Sequence, residues 1–561
     1  MTSAWLHPGL LVVAGGLSLA LLRGRARDAV ALGAPLAALA LVLHAPQGAA
    51  WSGHLLGLDV VPLAYDRLSR LFAIVFALMA FGGALYGLRQ PSRLELPAAL
   101  VYAGSAIGAV LAGDLLTLLV FWELMAVGST LVIWSAGSPA AYRASMRYLA
   151  MHMLGGALLL AGVAGHVMQT HSTAFDHFVL DTPAHWLILA GFLVNAGAPP
   201  LSAWLPDAYP EASWSGTVFL SAFTTKTAVY VLLRGFAGTE LLVWAGLFMV
   251  FYGIVYALLE NDMRRILAYS IVNQVGFMVT GIGIGTEVAL NGAAAHAFAH
   301  IIYKALLLMS AGSVLYATDR RKCSELGGLF RTMPLTTLCG TVGALAISAF
   351  PLTSGFVSKS MISQAAADEH LLWVWLLLAA ATAGVFLHAG IKYPWFVFFQ
   401  KDSGLRPPEP PLNMRLAMVL FAVLCIVLGV FYQPLYALLP YGVDYAPYTG
   451  MHVIEQLELL LFSGLAFFVM LPLLRRTPTI TLDVDWLYRR LGPALLAGAD
   501  ALYKATLTAF ARAALRSGRR IDAWLVGPHR ADGILARTWT TGGMALWVAV
   551  LLAAYLLVYY L

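Results

Sequence analysis

Residues 295–309 read AHAFAHIIYKALLLM, and this stretch decides how the rest of the chain is read. His296, His300 and Lys304 follow one another at i, i+4 and i+8, so a helix stacks them along a single stripe. The surroundings are apolar and long enough to lie in a bilayer. Titratable groups on one stripe of a membrane helix are costly and mark an ion pathway. Interfacial histidines with a snorkelling lysine are the alternative, but the stripe sits in mid-segment.

The composition agrees with a bilayer. Of 561 residues, 60% are hydrophobic and 11% charged, less than half the charge of an ordinary soluble domain. Cys323, Cys339 and Cys425 are far apart, which leaves disulfide framework, zinc site and iron–sulfur ligation unsupported. A net charge of +6 suggests no nucleic-acid partner. Met1 to His7 offer neither basic leader nor small-residue cleavage site, so no cleaved signal peptide is expected.

Working outward, runs of membrane-spanning length lie near 6–22, 29–45, 69–88, 97–113, 115–135, 146–168, 185–204, 217–234, 241–259, 266–285, 290–316, 337–362, 372–399, 412–434, 455–474 and 541–560. That predicts an all-α polytopic membrane protein with about sixteen spans. Odd-numbered connections carry the basic groups, such as Arg23/Arg25/Arg27, Arg264/Arg265 and Arg320/Arg321/Lys322. Even ones carry Asp114, Asp176, Glu287 and Asp368, with Arg234 and the acidic seventh loop (Asp207, Glu211) as exceptions. The positive-inside rule then puts both chain ends on the outer face.

Two spans are interrupted. The seventh reads LVNAGAPPLSAWLP around Pro199 and Pro200, and the twelfth AISAFPLTSGFVSKSMI around Pro351 and Gly355. Proline removes a backbone donor and clashes with the preceding turn, and such breaks survive at depth only inside protein or beside a wet cavity. They fall five spans apart, an odd number, so spans 4–8 (97–236) and 9–13 (237–400) read as inverted repeats around a transport site. Residues 1–96 and 401–476 supply flanking membrane helices. Residues 477–540 are polar, with an amphipathic helical pattern in 495–516 suited to the interface, and a final span covers 541–561.

Glu123, in VFWELMAVGST, falls in the middle of the fifth span. A bare carboxylate there costs at least ~2.5–3.5 kcal/mol, so it sits in a polar cavity, pairs with a cation or holds a proton. Lys226 is central in the eighth span, Lys359 follows the second break, and His388 and Lys392 are one turn apart on the thirteenth. Lys226 and Lys392 occupy comparable places in the two repeats, although snorkelling also accounts for Lys392 beside Tyr393 and Trp395. Buried ionisable groups in a row alter one another's protonation, so charge can pass sideways without a continuous wire.

At these residues the chain resembles the antiporter-like subunits shared by multisubunit (Mrp-type) cation/proton antiporters and respiratory complex I. The matching stretches are DLLTLLVFWELM, SAWLPDAYPEAS, FTTKTAVYVLLR, ENDMRRILAYSIVNQVGFM, HAFAHIIYKALLLMSAG and FPLTSGFVSKSM. The resemblance implies a fourteen-helix core with inverted repeats and a glutamate–lysine–lysine/histidine proton path, carried here by Glu123, Lys226, His300, Lys304 and Lys359. It departs at Asn195, where the family's seventh helix usually bears a lysine paired with the fifth-helix glutamate. Asparagine cannot titrate, so either Lys226 partners Glu123 or this half-channel is altered. GFVSKSM and LHAGIK look most similar to the D-type subunits of the Mrp-type antiporters, whereas the tail is closer to the complex I subunit with a lateral helix. Another relative serves inorganic-carbon uptake.

The expected function is proton translocation coupled to a monovalent cation such as Na⁺, within a hetero-oligomer of hydrophobic subunits. The alternatives are a pump driven by redox partners, an energy-coupling subunit for carbon uptake, and a non-conducting brace. No catalytic motif, metal site or cofactor site is expected, and His296, His388, Lys392 and Asn195 are secondary path candidates.

Overall fold

The computed structural model describes residues 6–55, 57–473 and 483–561. Among the described residues twelve helices are long and apolar enough to cross a bilayer, and the shorter helices Pro8–Ser18, Glu95–Leu111, Pro183–Ala196 and Pro334–Ile347 accompany them. Together they coincide with the predicted spans and keep their ordinal names here. The chain is an all-α, multi-pass membrane protein. Span starts follow local chemistry: the side chains of Asp114, Ser138, Thr182, Asp262 and Thr286 each accept a backbone N–H of the first turn, which an unsatisfied helix start requires.

The described residues divide into two units, one running to Asp485 and the other Trp486–Leu561. Within the first, the eighth, tenth (Met263–Ile284) and eleventh (Glu287–Thr318) spans are almost wholly buried. The ninth (Glu240–Leu259), fourteenth (Leu412–Val430) and fifteenth (Gly450–Val469) present an apolar face outward, with Trp244, Phe248, Val423, Leu461 and Phe462 exposed. An outward apolar face is what lipid or a hydrophobic partner covers.

Both predicted breaks are present. The seventh span stops at Ala196, capped by Gly197 at φ 75°, and resumes as Trp204–Ala208. Trp204 Nε1 donates to Val194 O at 2.9 Å across the gap. The twelfth splits into Pro334–Ile347 and Ser354–Asp368, and Gly355 packs so closely on Ala346 O that a Cβ has no room. A third interruption has no proline or glycine signal. The eighth span is Gly216–Leu220 followed by Thr224–Gly235. The thirteenth begins as an α-helix, Leu372–Val385, and widens to π-helical bonding at Phe386–Lys392 and Trp395–Phe399, a distortion that recurs at functional sites.

The connection after the second span is a hairpin, Gly48–Leu55 against Leu58–Tyr65, which the hydropathy reading did not include. It is antiparallel from Gly48↔Tyr65 to Leu55↔Leu58, with irregularities around Ala49, Trp51 and Gly53. Asp114 accepts from Val61 N at 2.8 Å and so ties it to the start of the fifth span (Leu115–Trp134).

In the second unit, the helix Asp485–Val526 contains the predicted amphipathic stretch and leaves Leu496, Leu502, Leu507, Phe510 and Leu515 exposed, while Thr541–Tyr560 forms the final span. The expected boundary at 476/477 and residues 1–5, part of the stretch in which no signal peptide is expected, lie outside the described residues.

Candidate functional site

The stripe on the eleventh span is fully buried at His296, His300 and Lys304. His296 Nε2 lies 3.1 Å from Gln274 Oε1 and Nδ1 lies 3.0 Å from Ser358 Oγ. The amide oxygen can only accept, so Nε2 carries a proton, while the Ser358 hydroxyl beside Nδ1 also reaches Ser354 O at 3.1 Å. Tyr303 donates to the same Gln274 oxygen at 3.0 Å. Lys304 Nζ donates to Ser270 Oγ at 2.8 Å. His300 stands between these groups with neither ring nitrogen hydrogen-bonded, within electrostatic reach of Lys226, Lys304, His296 and Lys359.

The other buried lysines share one solution to burial. Lys226 Nζ donates to Ser221 O at 2.6 Å and Thr225 Oγ1 at 3.1 Å. Lys359 Nζ donates to Ile347 O at 3.1 Å and lies 4.7 Å from the centre of the Phe277 ring. Lys392 Nζ donates to Ala257 O, Leu258 O and Glu260 O at 2.5–3.0 Å. Each acceptor carbonyl sits where a helix breaks or ends, and such carbonyls have no intrahelical donor and form the negative end of the helix dipole. The unheralded gap at Ser221–Phe223 therefore supplies the ligand of Lys226. Among the described residues no carboxylate pairs with Lys226, Lys304 or Lys359.

Glu123 lies half-buried on the fifth span, against the sixth span (Pro139–Thr170) at Gly156. Among the described residues it has no hydrogen bond or ion pair. Lys226 is therefore not its hydrogen-bonded partner, because the ammonium turns to the break in its own helix. Asn195 is buried beside Gly155, one residue along the sixth span, and neither amide atom finds a partner. His388 Nδ1 bonds Gly384 O at 2.8 Å within the π-helical turn, leaving Nε2 unpaired.

Lys359 also lines a crevice of about 320 Å³ with Ser360, Ser363, Thr382, His452 and Glu455. His452 and Glu455 come from the fifteenth span, which the sequence reading left without a role. Gln274, Ser270, Ser358 and Tyr303 were missed as well. Ser270 and Gln274 are four residues apart in AYSIVNQVGFM, so a polar stripe facing the eleventh span was open to reading. Among the described residues no set of His, Cys, Asp and Glu is placed to hold a metal.

The model of a family described as NADH:quinone oxidoreductase/Mrp antiporter, TM, matches residues 112–386. The D-type subunit of the Na(+)/H(+) antiporter of Alkalihalophilus pseudofirmus is 30% identical over 358 residues, covering 59% of this chain and 71% of that protein. The chain belongs to this antiporter-like family. The A/B-type subunit of the probable K(+)/H(+) antiporter of Rhizobium meliloti is also 30% identical, but the chain spans only 36% of its length. A chain of the membrane-bound sulfane sulfur reductase, an archaeal respiratory membrane complex, shares the fold with a TM-score of 0.71 at 21% identity, over 98% of this chain and 99% of that one.

The match places Glu123, Asn195, Lys226, the eleventh-span stripe and Lys359 of this antiporter-like protein inside the family region, and ends before His388 and Lys392. The Alkalihalophilus and Rhizobium relatives are antiporter subunits, and the archaeal neighbour is a chain of a respiratory membrane complex.

Proposed function

We propose that the chain is the proton-translocating subunit of a multisubunit Na⁺/proton antiporter in the cell's inner membrane, with both termini on the outer face. The observation that carries this is the buried row Lys226–His300–Lys304–Lys359. It crosses between the two five-span groups with no neutralising carboxylate among the described residues. Cations held only by carbonyls and hydroxyls are sensitive to one another's charge, so a proton gained at one site favours its loss at the next. The groups 97–236 and 237–400 supply a half-channel each, with Glu123 at one end of the row and Lys359, open to its crevice, at the other. The name of the Alkalihalophilus relative supports Na⁺ as the coupled ion.

The test uses membrane vesicles containing the whole complex. Glu123→Ala and Lys359→Ala should abolish cation-driven proton movement while the complex still assembles. Transport that survives both changes would leave these residues as helix braces.

A second reading is favoured by the helix Asp485–Val526 and the final span, which lie within the 98% of this chain that shares the fold of the archaeal respiratory protein. It makes the chain a proton pump driven by redox partners. Purification from native membranes separates the two. Co-purifying iron–sulfur absorbance supports the redox-driven pump, and a colourless assembly of small hydrophobic subunits supports antiport.

A further inference from the structure

The sixth span carries a polar stripe that the row of lysines does not use. Ser145, Tyr148, His152, Gly155 and Gly156 are buried on its inner face. At one end Arg147 grips Asp207 with two hydrogen bonds, 2.7 and 2.8 Å. Next comes a knot of hydroxyls: Tyr148 donates to Ser129 Oγ at 3.0 Å, and Thr224 Oγ1 lies 3.2 Å from Tyr148 and 2.6 Å from Tyr102. One turn further is His152, then the glycine pair against which Asn195 and Glu123 lie.

His152 is 1% exposed, its ring stacked on Tyr148 at 3.9 Å and edge-on to Trp204 at 4.7 Å. Nδ1 lies 3.0 Å from Tyr148 O. A carbonyl only accepts, so Nδ1 holds the proton and Nε2 keeps a free lone pair. That Nε2 has no partner, nor does either amide atom of Asn195, nor Ser202 Oγ, nor the Trp122 indole N–H. Each buried unpaired polar atom costs about 1–3 kcal/mol, and packing alone gives no reason to leave the His152 nitrogen and the Asn195 amide unpaired within one turn of the glycine that Glu123 lies against. Other ionisable groups on the elements packed against the sixth span are few. The fifth span brings Glu123, the segment after the break Asp207, Tyr209 and Glu211, and the seventh span His185, which pairs with His166 farther along, and at the level of His152 the non-titrating Asn195.

We propose that His152 is a proton-relay residue of the first half, serving as the cation that Glu123 otherwise lacks. Nε2 takes a proton arriving along the Tyr148–Thr224 hydroxyls and becomes imidazolium. It then gives that proton to the Glu123 carboxylate past Asn195, leaving a neutral imidazole and a neutral carboxylic acid. Asn195 lies beside Gly155, next to the glycine that Glu123 packs against. Its unpaired amide is free to donate to the carboxylate and to accept from Nε2–H once the imidazole is charged. The proposal rests on the proton-translocating reading.

The test has two arms on the whole complex. In ¹⁵N-histidine-labelled protein, the signal lost in His152→Gln identifies His152, and it should shift on Glu123→Gln and with pH. A signal indifferent to both overturns the proposal whether or not the complex moves protons. In vesicles, His152→Gln should slow proton movement at least tenfold without loss of assembly, and adding Asn195→Lys should restore it to within threefold. A His152→Gln complex as fast as wild type overturns the relay while leaving the proposed function standing. A wild-type complex that moves no protons removes the function, and the resonance arm then decides the relay alone.

Discussion

Gly156 has no side chain, and the Glu123 carboxyl occupies the room this leaves. In Gly156→Ala the new methyl would overlap Oε1 and stand 2.9 Å from Cδ and 3.2 Å from Oε2, against an ordinary contact of 3.4 Å or more. The carboxyl ends a flexible side chain, so it retreats by on the order of 1 Å and the backbone stays, a displacement that costs up to about 10²-fold in a transfer geometry. Gly155→Ala is the control one residue away: its methyl meets Val194 Cγ1 at 3.1 Å and Asn195 Oδ1 at 3.3 Å, needing only a few tenths of an ångström. Both changes favour the helix intrinsically, by about 0.5–1 kcal/mol. Initial rates of dye-reported proton movement in everted vesicles, normalised to assembled complex on native gels, should fall between tenfold and a hundredfold in Gly156→Ala and less than threefold in Gly155→Ala. Wild-type rates in an assembled Gly156→Ala complex, or equal losses in the two variants, would refute the placement of Glu123 in the path.

Lys392→Met should strip the donor from Ala257 O, Leu258 O and Glu260 O, at about 1–3 kcal/mol for each carbonyl left buried and unpaired. We expect a lower melting temperature and less assembled complex, with near-normal rates per surviving complex; a normal melting temperature with lost transport would make Lys392 part of the path instead. Outside the spans, hydrogen bonds from Arg406 and from Gly404 N hold the Asp402 carboxyl well below the usual carboxylate range. A depressed folded value keeps its contribution intact above the ordinary pKa of about 4 and loses it only as pH falls through the folded value. The exchange protection of the Gly404 amide should therefore be constant from pH 8 to pH 5 and collapse in Asp402→Asn; protection fading between pH 7 and pH 5 would contradict this.

Hydropathy was enough to find the spans, because each has to cover its apolar face whatever its neighbours are. The breaks at Pro199–Pro200 and Pro351 were equally legible, since proline acts through its own ring and missing donor. The gap at Ser221–Phe223 was not: SAFTT has no breaker, and Lys226 bonds a carbonyl the gap releases. Lys392 looked like a path or snorkelling residue because its three acceptors end a different span, more than 130 residues away. The hairpin at 48–65 escaped notice because GAAWSGHL has no clean alternation and its register is irregular. His152 gave no signal in sequence. Only the fold shows His152 one turn from the glycine pair against which Asn195 and Glu123 lie.

The central claim is that protons cross by way of the buried row. The direct measurement is Na⁺-gradient-driven pH change in proteoliposomes of the purified whole complex, wild type against Lys304→Met, with the full set of subunits verified in both. The account predicts a pH change in wild type and none in an intact Lys304→Met complex. Equal rates in the two would contradict it.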